Sequence, residues 1–222
     1  MWGLFWWPLR HIESAGISGI WSVFGVNVVP FLVLLPFVFY KRRTFFEEIK
    51  AKCLIGLAMG GGMAFYAVAL LYSTILQTTL LFYMSPVWAT LLARLILKEK
   101  ITAGRLLAIA SGVTGIALIL SGDVHKSAGL NSGLIIDLNR GDLFALISGL
   151  LWGYGMVLVK GSSEIPAMDI VPSQYFWATI ISLLLLITTI NSADFIVPTM
   201  NQWLDALPVS YTHLTLPTIY SV

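Results

Sequence analysis

Residues 70–120 read LLYSTILQTTLLFYMSPVWATLLARLILKEKITAGRLLAIASGVTGIALIL. An apolar run carries Tyr83, Pro86 and Trp88 and then meets a short basic cluster, Arg94, Lys98, Lys100 and Arg105. A second apolar run follows, rich in small residues: Ala108, Ala110, Gly112, Gly115 and Ala117. In water, two such helices would have no polar face to present. In a bilayer they are two spanning helices joined by a short charged turn. Basic residues between spans favour the cytoplasmic side, so the first helix descends into the cytoplasm and the second returns.

Composition extends this reading to the whole chain. Of 222 residues, 58% are hydrophobic and 11% charged, where a soluble domain carries about 25% charged residues. The deficit leaves too little polar surface to cover a water-soluble globule, which predicts an all-α, polytopic membrane helix bundle. The net charge of +2 decides little, because in a membrane protein the position of charge outweighs its sum. Cys53 is the single cysteine, so no internal disulfide can form, and a packed helix position is its simplest use. No basic leader with a small-residue cleavage site is apparent.

Outward from the opening stretch, five further segments follow the same logic. Trp2 to Leu9 is apolar but short of the roughly 20 residues a span needs, and ends at Arg10, His11 and Glu13. Ile17 to Tyr40 is an uncharged span holding Asn27, Pro30 and Pro36, followed by a basic loop with Lys41, Arg42, Arg43, Lys50 and Lys52. Cys53 to Ala93 is uncharged and too long for one helix, with its break expected in the polar cluster from Ser73 to Thr79. Its first helix carries Gly56, Gly60, Gly61 and Gly62, and the Gly56/Gly60 spacing allows a second backbone to approach closely. Thr102 to Ser121 is the next span and Gly122 to Asp142 a polar outer loop. Leu143 to Lys160, with the same spacing at Gly149 and Gly153, and Ile170 to Asn191 complete the set. Asp194 to Leu207 suits an outer loop. The inner loops so defined hold ten Lys and Arg residues against three in the outer ones, which supports the orientation.

The pair Ser85-Pro86, the turn Leu97-Lys98-Glu99-Lys100-Ile101 and the helix Gly112-Val113-Thr114-Gly115 resemble the fourth and fifth helices of EamA-type transporters, in the drug/metabolite transporter superfamily. The resemblance covers roughly residues 1 to 195. Trp2-Gly3 looks like the mid-helix Trp-Gly of the first EamA helix, which implies about ten further residues upstream. Trp152-Gly153 echoes it five helices later, and an odd count inverts the second copy, as in the inverted repeats of secondary transporters. The resemblance therefore implies an incomplete ten-helix inverted-repeat transporter fold. Residues 1–121 would form the first repeat, with its first helix truncated; 122–142 an outer loop; 143–207 a partial second repeat of two helices. Residues 208–222 end in VSYTHLTLPTIYSV, which resembles translated sequencing-adapter sequence and is expected to be a non-native tail.

Ionisable residues inside spans are the usual marks of function, and here the spans look almost empty of them. Glu13 could titrate in proton coupling, although a solvated cluster at a helix end is the simpler account. Neutral polar and aromatic groups remain. Trp6, Asn27, Tyr66, Gln77, Tyr83, Trp88, Trp152 and Tyr154 are the candidates for a substrate pocket. Of these, Tyr66, Tyr83 and Trp152 are expected to lie deepest. An aromatic wall with few charges suits cationic, zwitterionic or amphipathic solutes, though for each residue singly plain helix packing carries more weight. Pro30, Pro36, Gly60, Gly61, Gly62 and Pro86 are the candidate hinges. No metalloprotease, P-loop or serine-hydrolase motif occurs, and no enzyme, cofactor, metal site or nucleic-acid partner is expected. The resemblance implies export of amino acids or similar small solutes across the inner membrane, by alternating access with proton exchange. The partners are then a small-molecule substrate, protons and the lipid bilayer, with a homodimer also open to it. The alternative is a sensor or assembly subunit built on the same bundle, with packed glycine faces and no central cavity.

Overall fold

The computed structural model describes residues 9, 12–13, 16–17, 19–40, 47–128, 139–162, 164–189 and 197–203, with only the backbone of 119–128, 167 and 189. Among them all regular structure is helical: α1 (Ile20–Tyr40), α2 (Ile49–Tyr72), α3 (Ile75–Phe82), α4 (Ser85–Ile96), α5 (Ala103–Ala128), α6 (Arg140–Gly161) and α7 (Ala167–Thr189). Among the described residues five segments are long and apolar enough to cross a membrane: α1, α2, the α3–α4 pair (Ile75–Ile96), α6 and most of α7. Ala103–Leu118 of α5 is a shorter apolar helix. The expected first span, Trp2 to Leu9, and the tail from residue 208 lie outside the described residues except for Leu9.

The break between α2 and α3 falls at Ser73 and Thr74, within the polar cluster where it is expected. Ser73 turns to extended backbone, and the Thr74 hydroxyl caps the next helix by accepting the Gln77 N–H at 3.2 Å. The following span is itself broken at Tyr83 and Met84, and Pro86 sits in the first turn of α4, where its missing N–H removes no helical hydrogen bond. Two expectations are corrected. Helix α5 runs past Ser121 to Ala128, into the stretch from Gly122 expected as loop. Arg140 to Asp142, expected as the end of that loop, form the first turn of α6.

Helix α2 is the spine. It packs most extensively against α6 and next against α7, while α1 leans on α7, and α6 also carries α3 and α4. Glycine makes these approaches possible. A Cβ on Gly60 would lie 2.3 Å from the Gln174 carbonyl oxygen and 2.8 Å from the Ala178 nitrogen of α7. One on Gly62 would lie 3.1 Å from the Ser148 carbonyl oxygen of α6, and one on Gly153 2.8 Å from that of Ser85 on α4. With no water to squeeze from between helices, such backbone proximity is what holds spans together. A core of Val23, Val26, Met63, Tyr66, Phe82, Tyr175 and Ala178 fills the space between α1, α2, α3 and α7. Helix α5 stands aside: it touches α3 lightly, and at Gly104, Gly112 and Gly115 nothing lies within 4 Å of an added Cβ.

The helix ends sort into two groups. At one end, here called the basic end, α2 and α7 begin, α4 and α6 finish, and Ile55, Ile165 and Ile170 form a small apolar cluster. There Lys98 takes a left-handed backbone (φ 55°) to turn the chain out of α4. The next residue, Glu99, bonds Lys160 at the end of α6 and lies 3.6 Å from Arg105 on α5. At the opposite end α2 gives way to α3 and α6 begins.

Two outcomes follow for stability in detergent. Gly60→Ala should lower stability by about 2 kcal/mol or more by forcing α2 from α7. Gly112→Ala should be neutral or stabilising by up to about 1 kcal/mol through helix propensity; thermal unfolding of both variants checks the contrast. The hydrogen bond from Lys160, with Arg105 nearby, holds the Glu99 carboxyl below its ordinary range. A carboxyl so lowered in the folded state stabilises it at neutral pH and loses that contribution as pH falls through the folded-state value. A small acid-side decline in melting temperature should therefore flatten in Glu99→Gln.

Candidate functional site

The end of the bundle opposite the basic loops is organised around Asp142, which is fully buried. Asn139 starts α6 by a reciprocal capping arrangement: its side-chain oxygen accepts the Asp142 N–H at 3.0 Å, and Asp142 Oδ2 accepts the Asn139 N–H at 2.9 Å. The carboxylate then reaches across to the other helices. Oδ1 accepts the Ser73 hydroxyl and Oδ2 the Gln77 side-chain amide, both at 2.7 Å. Gly141 lets this happen, since a Cβ there would meet the Ser73 nitrogen at 2.7 Å. Gln77, a candidate for substrate contact, is thus held by a carboxylate that the sequence reading left in a loop.

Further into the bundle the polar groups become neutral. The Thr79 hydroxyl donates to the Ile75 carbonyl at 2.7 Å, so the Tyr66 hydroxyl, 3.1 Å away, is the donor to Thr79. Tyr66 is fully buried. Its ring centroid lies 4.8 Å from that of Phe82, and Phe82 lies 6.1 Å from Trp152. Tyr66 and Trp152, expected to lie deep, therefore meet on one ring that the sequence reading passed over. Tyr83 flanks Phe82 at 6.2 Å but is 47% exposed, on the outward side of the break between α3 and α4.

The remaining candidates are dispersed. Asn27 is fully buried on α1; its amide donates to the Val23 carbonyl at 2.8 Å, and its side-chain oxygen has no partner among the described residues. The Trp88 indole N–H, on α4 beside Gly153, is likewise buried without one, as are the Trp177 N–H and the Thr179 hydroxyl on α7. Tyr154 is half-buried on α6, Glu13 half-buried before α1, and Trp6 lies outside the described residues. Of the candidate hinges, Pro30 and Gly60 to Gly62 are buried, whereas Pro36 and Pro86 are exposed.

The basic end holds a second buried polar cluster. Lys52 lies inside α2 instead of in the preceding loop, 3.5 Å from Asp169 in the first turn of α7, and both side chains are under 10% exposed. The Ser173 hydroxyl donates to the Lys52 carbonyl at 3.0 Å. The expectation that the helices are almost empty of ionisable groups is therefore corrected: Lys52, Asp142 and Asp169 are helical and buried. The Asn-x-x-Asp spacing of 139–142 is a helix-start signal that could have placed Asp142. Among the described residues no group of His, Cys, Asp and Glu is placed to hold a metal.

Asp142→Ala should take the acceptor from the half-buried Ser73 and Gln77 donors, at about 1 kcal/mol for each hydrogen bond lost. Gln77→Ala should cost less, and a double-mutant cycle read by unfolding should show the two substitutions coupled.

No curated protein and no solved structure matches the chain. The family model of EamA-like transporters matches residues 1–121, more than half of the sequence and all of α1 to α4. With its apolar helices, this makes the chain a multi-pass membrane protein of the drug/metabolite transporter type. The chain belongs to the EamA-like transporter family.

Proposed function

We propose that the protein is a secondary transporter that exports amino acids or similar small solutes across the inner membrane, by alternating access coupled to protons. The observation that carries this reading is a set of buried polar atoms without partners among the described residues: Asn27 Oδ1 on α1, Trp88 Nε1 on α4, and Trp177 Nε1 and Thr179 Oγ1 on α7. A buried polar group left unmet is costly and rare, and is a common mark of a place where something else binds. They stand on separate helices and are one acceptor, two donors and a hydroxyl, all uncharged, each able to meet a neutral polar group of a solute. The Tyr66–Phe82–Trp152 cluster adds aromatic faces that tolerate a cationic head.

In this reading residues 1–121 are the first repeat and α6 and α7 belong to the second. The end of the family match at residue 121 supports that boundary. The Lys- and Arg-rich loops favour a cytoplasmic basic end, and the Gly-mediated contacts of α2 with α6 and α7 would be the seam between the halves. Glu13 is the proposed coupling carboxylate, at the far end of the same bundle.

The test is transport by the complete ten-helix protein, purified and reconstituted in vesicles, with labelled amino acids and an imposed pH gradient. Uptake into inverted vesicles above the protein-free level, raised by the gradient, is expected. Asn27→Ala should raise KM by about tenfold, in keeping with the loss of one buried hydrogen bond to the solute. Absence of movement for every solute, with or without the gradient, would sink the reading.

A further inference from the structure

We infer that Lys52 and Asp169 form the inner gate of the transport pathway, a closure that must part for the cytoplasmic side to open. The inference rests on the alternating-access reading above and adds the residues that close one of its ends.

Four observations converge on this place. The pair joins α2 to α7, which the proposed repeats put in different halves. Its atoms lie 3.5 Å apart and are buried, at the end of the bundle where the basic loops meet. The seam is doubled beside it: Ser173 donates to the Lys52 carbonyl, and Gly56 lies so close that a Cβ would come within 2.8 Å of the Ser173 Cβ. Finally, Pro172 sits inside α7 between Asp169 and Ser173. A proline there removes one helical hydrogen bond and weakens the coupling of the first turn to the rest of the helix.

A buried ion pair adds little to stability compared with apolar residues of similar size. Its presence is better explained by what it allows. Buried and in contact, the two charges neutralise each other and close the seam. Parted, each finds water at the membrane rim, so the open state is not penalised as a pair of stranded charges would be in hydrocarbon. The opposite end is closed differently, by Asp142 accepting from the neutral donors Ser73 and Gln77.

Cys53, the chain's single cysteine and half-buried next to Lys52, is a built-in reporter. In membrane vesicles exposing the basic loops, an impermeant maleimide should label Cys53 about tenfold faster in Asp169→Asn than in the parent, the scale of a population shift of this kind. Joint Lys52→Asp and Asp169→Lys substitution should return labelling to near the parent rate, which unfolding would not do. An unchanged rate in Asp169→Asn, or no return in the swapped pair, overturns the gate. A second arm does not depend on loosening the protein. With Cys53→Ala, Lys52→Cys and Asp169→Cys are tied by a short reducible bis-thiosulfonate. Transport should fall to the protein-free level and recover on reduction. If the tied protein transports as well as the reduced one, the gate is wrong and the transporter reading stands. If the parent itself moves no solute, the transporter reading fails and the gate with it.

Discussion

Backbone-to-backbone contact along α2 is the constraint from which the rest of the arrangement follows. Gly56 and Gly60 admit α7, Gly62 admits α6, and Gly149 and Gly153 let α6 in turn admit α3 and α4. In a bilayer the lipid tails are as apolar as leucine, so no hydrophobic force selects one helix neighbour over another. Selection falls to shape, and here the shape is a set of glycine grooves, deepest at Gly56, Gly60 and Gly153, where a methyl group would clash with the neighbouring backbone. With α2, α6 and α7 so placed, the core fills the space beside them, and Tyr66 reaches Thr79 where α3 packs against α6.

The same closeness explains where polar groups appear. Helices this near bring main-chain carbonyls within reach of side chains on the neighbour, as Ser173 reaches the Lys52 carbonyl. They also bury side chains that a looser bundle would leave to snorkel outward. Lys52 is the example: its long stem could carry the ammonium to the membrane surface, yet α7 lies so close that Asp169 meets it first.

The spans and their class were legible because apolar length in a membrane protein is a direct physical requirement, and α1, α2, α6 and α7 fall close to where hydropathy puts them. The break at Ser73 and Thr74 was legible too, from its polar cluster. What stayed hidden is the depth of residues at helix ends. A Lys or Asp next to an apolar run reads as loop, since charge ordinarily ends a span, and only the contact with a second helix makes Lys52 or Asp142 interior. The candidate list had the same blind spot in reverse. It held Tyr66 and Trp152, which the fold brings from α2 and α6 to Phe82, but it missed Phe82 itself because an apolar ring carries no signal in an apolar run. Tyr83, the next residue, looked equivalent in sequence and faces outward because the helix breaks there.

The spacing of the charged clusters reconciles them with the lipid. Lys52 and Ser73 stand near opposite ends of α2, and at 1.5 Å per residue the helix between them is about 30 Å long, close to the thickness of the hydrocarbon core. The Lys52–Asp169 pair and the Asp142 cluster thus lie at the two rims, where a charge costs far less than at the midplane. Between the rims the described interior is neutral: hydroxyls of Tyr66, Thr78 and Thr79, the amide of Asn27, and aromatic rings. That division suits the transport proposed here. Charges at the rims can bind or release one another as water reaches them, with little change in solvation over the whole cycle. A neutral middle can meet a solute by hydrogen bonds and ring faces without first displacing an ion pair, so recognition and closure need not compete for the same residues.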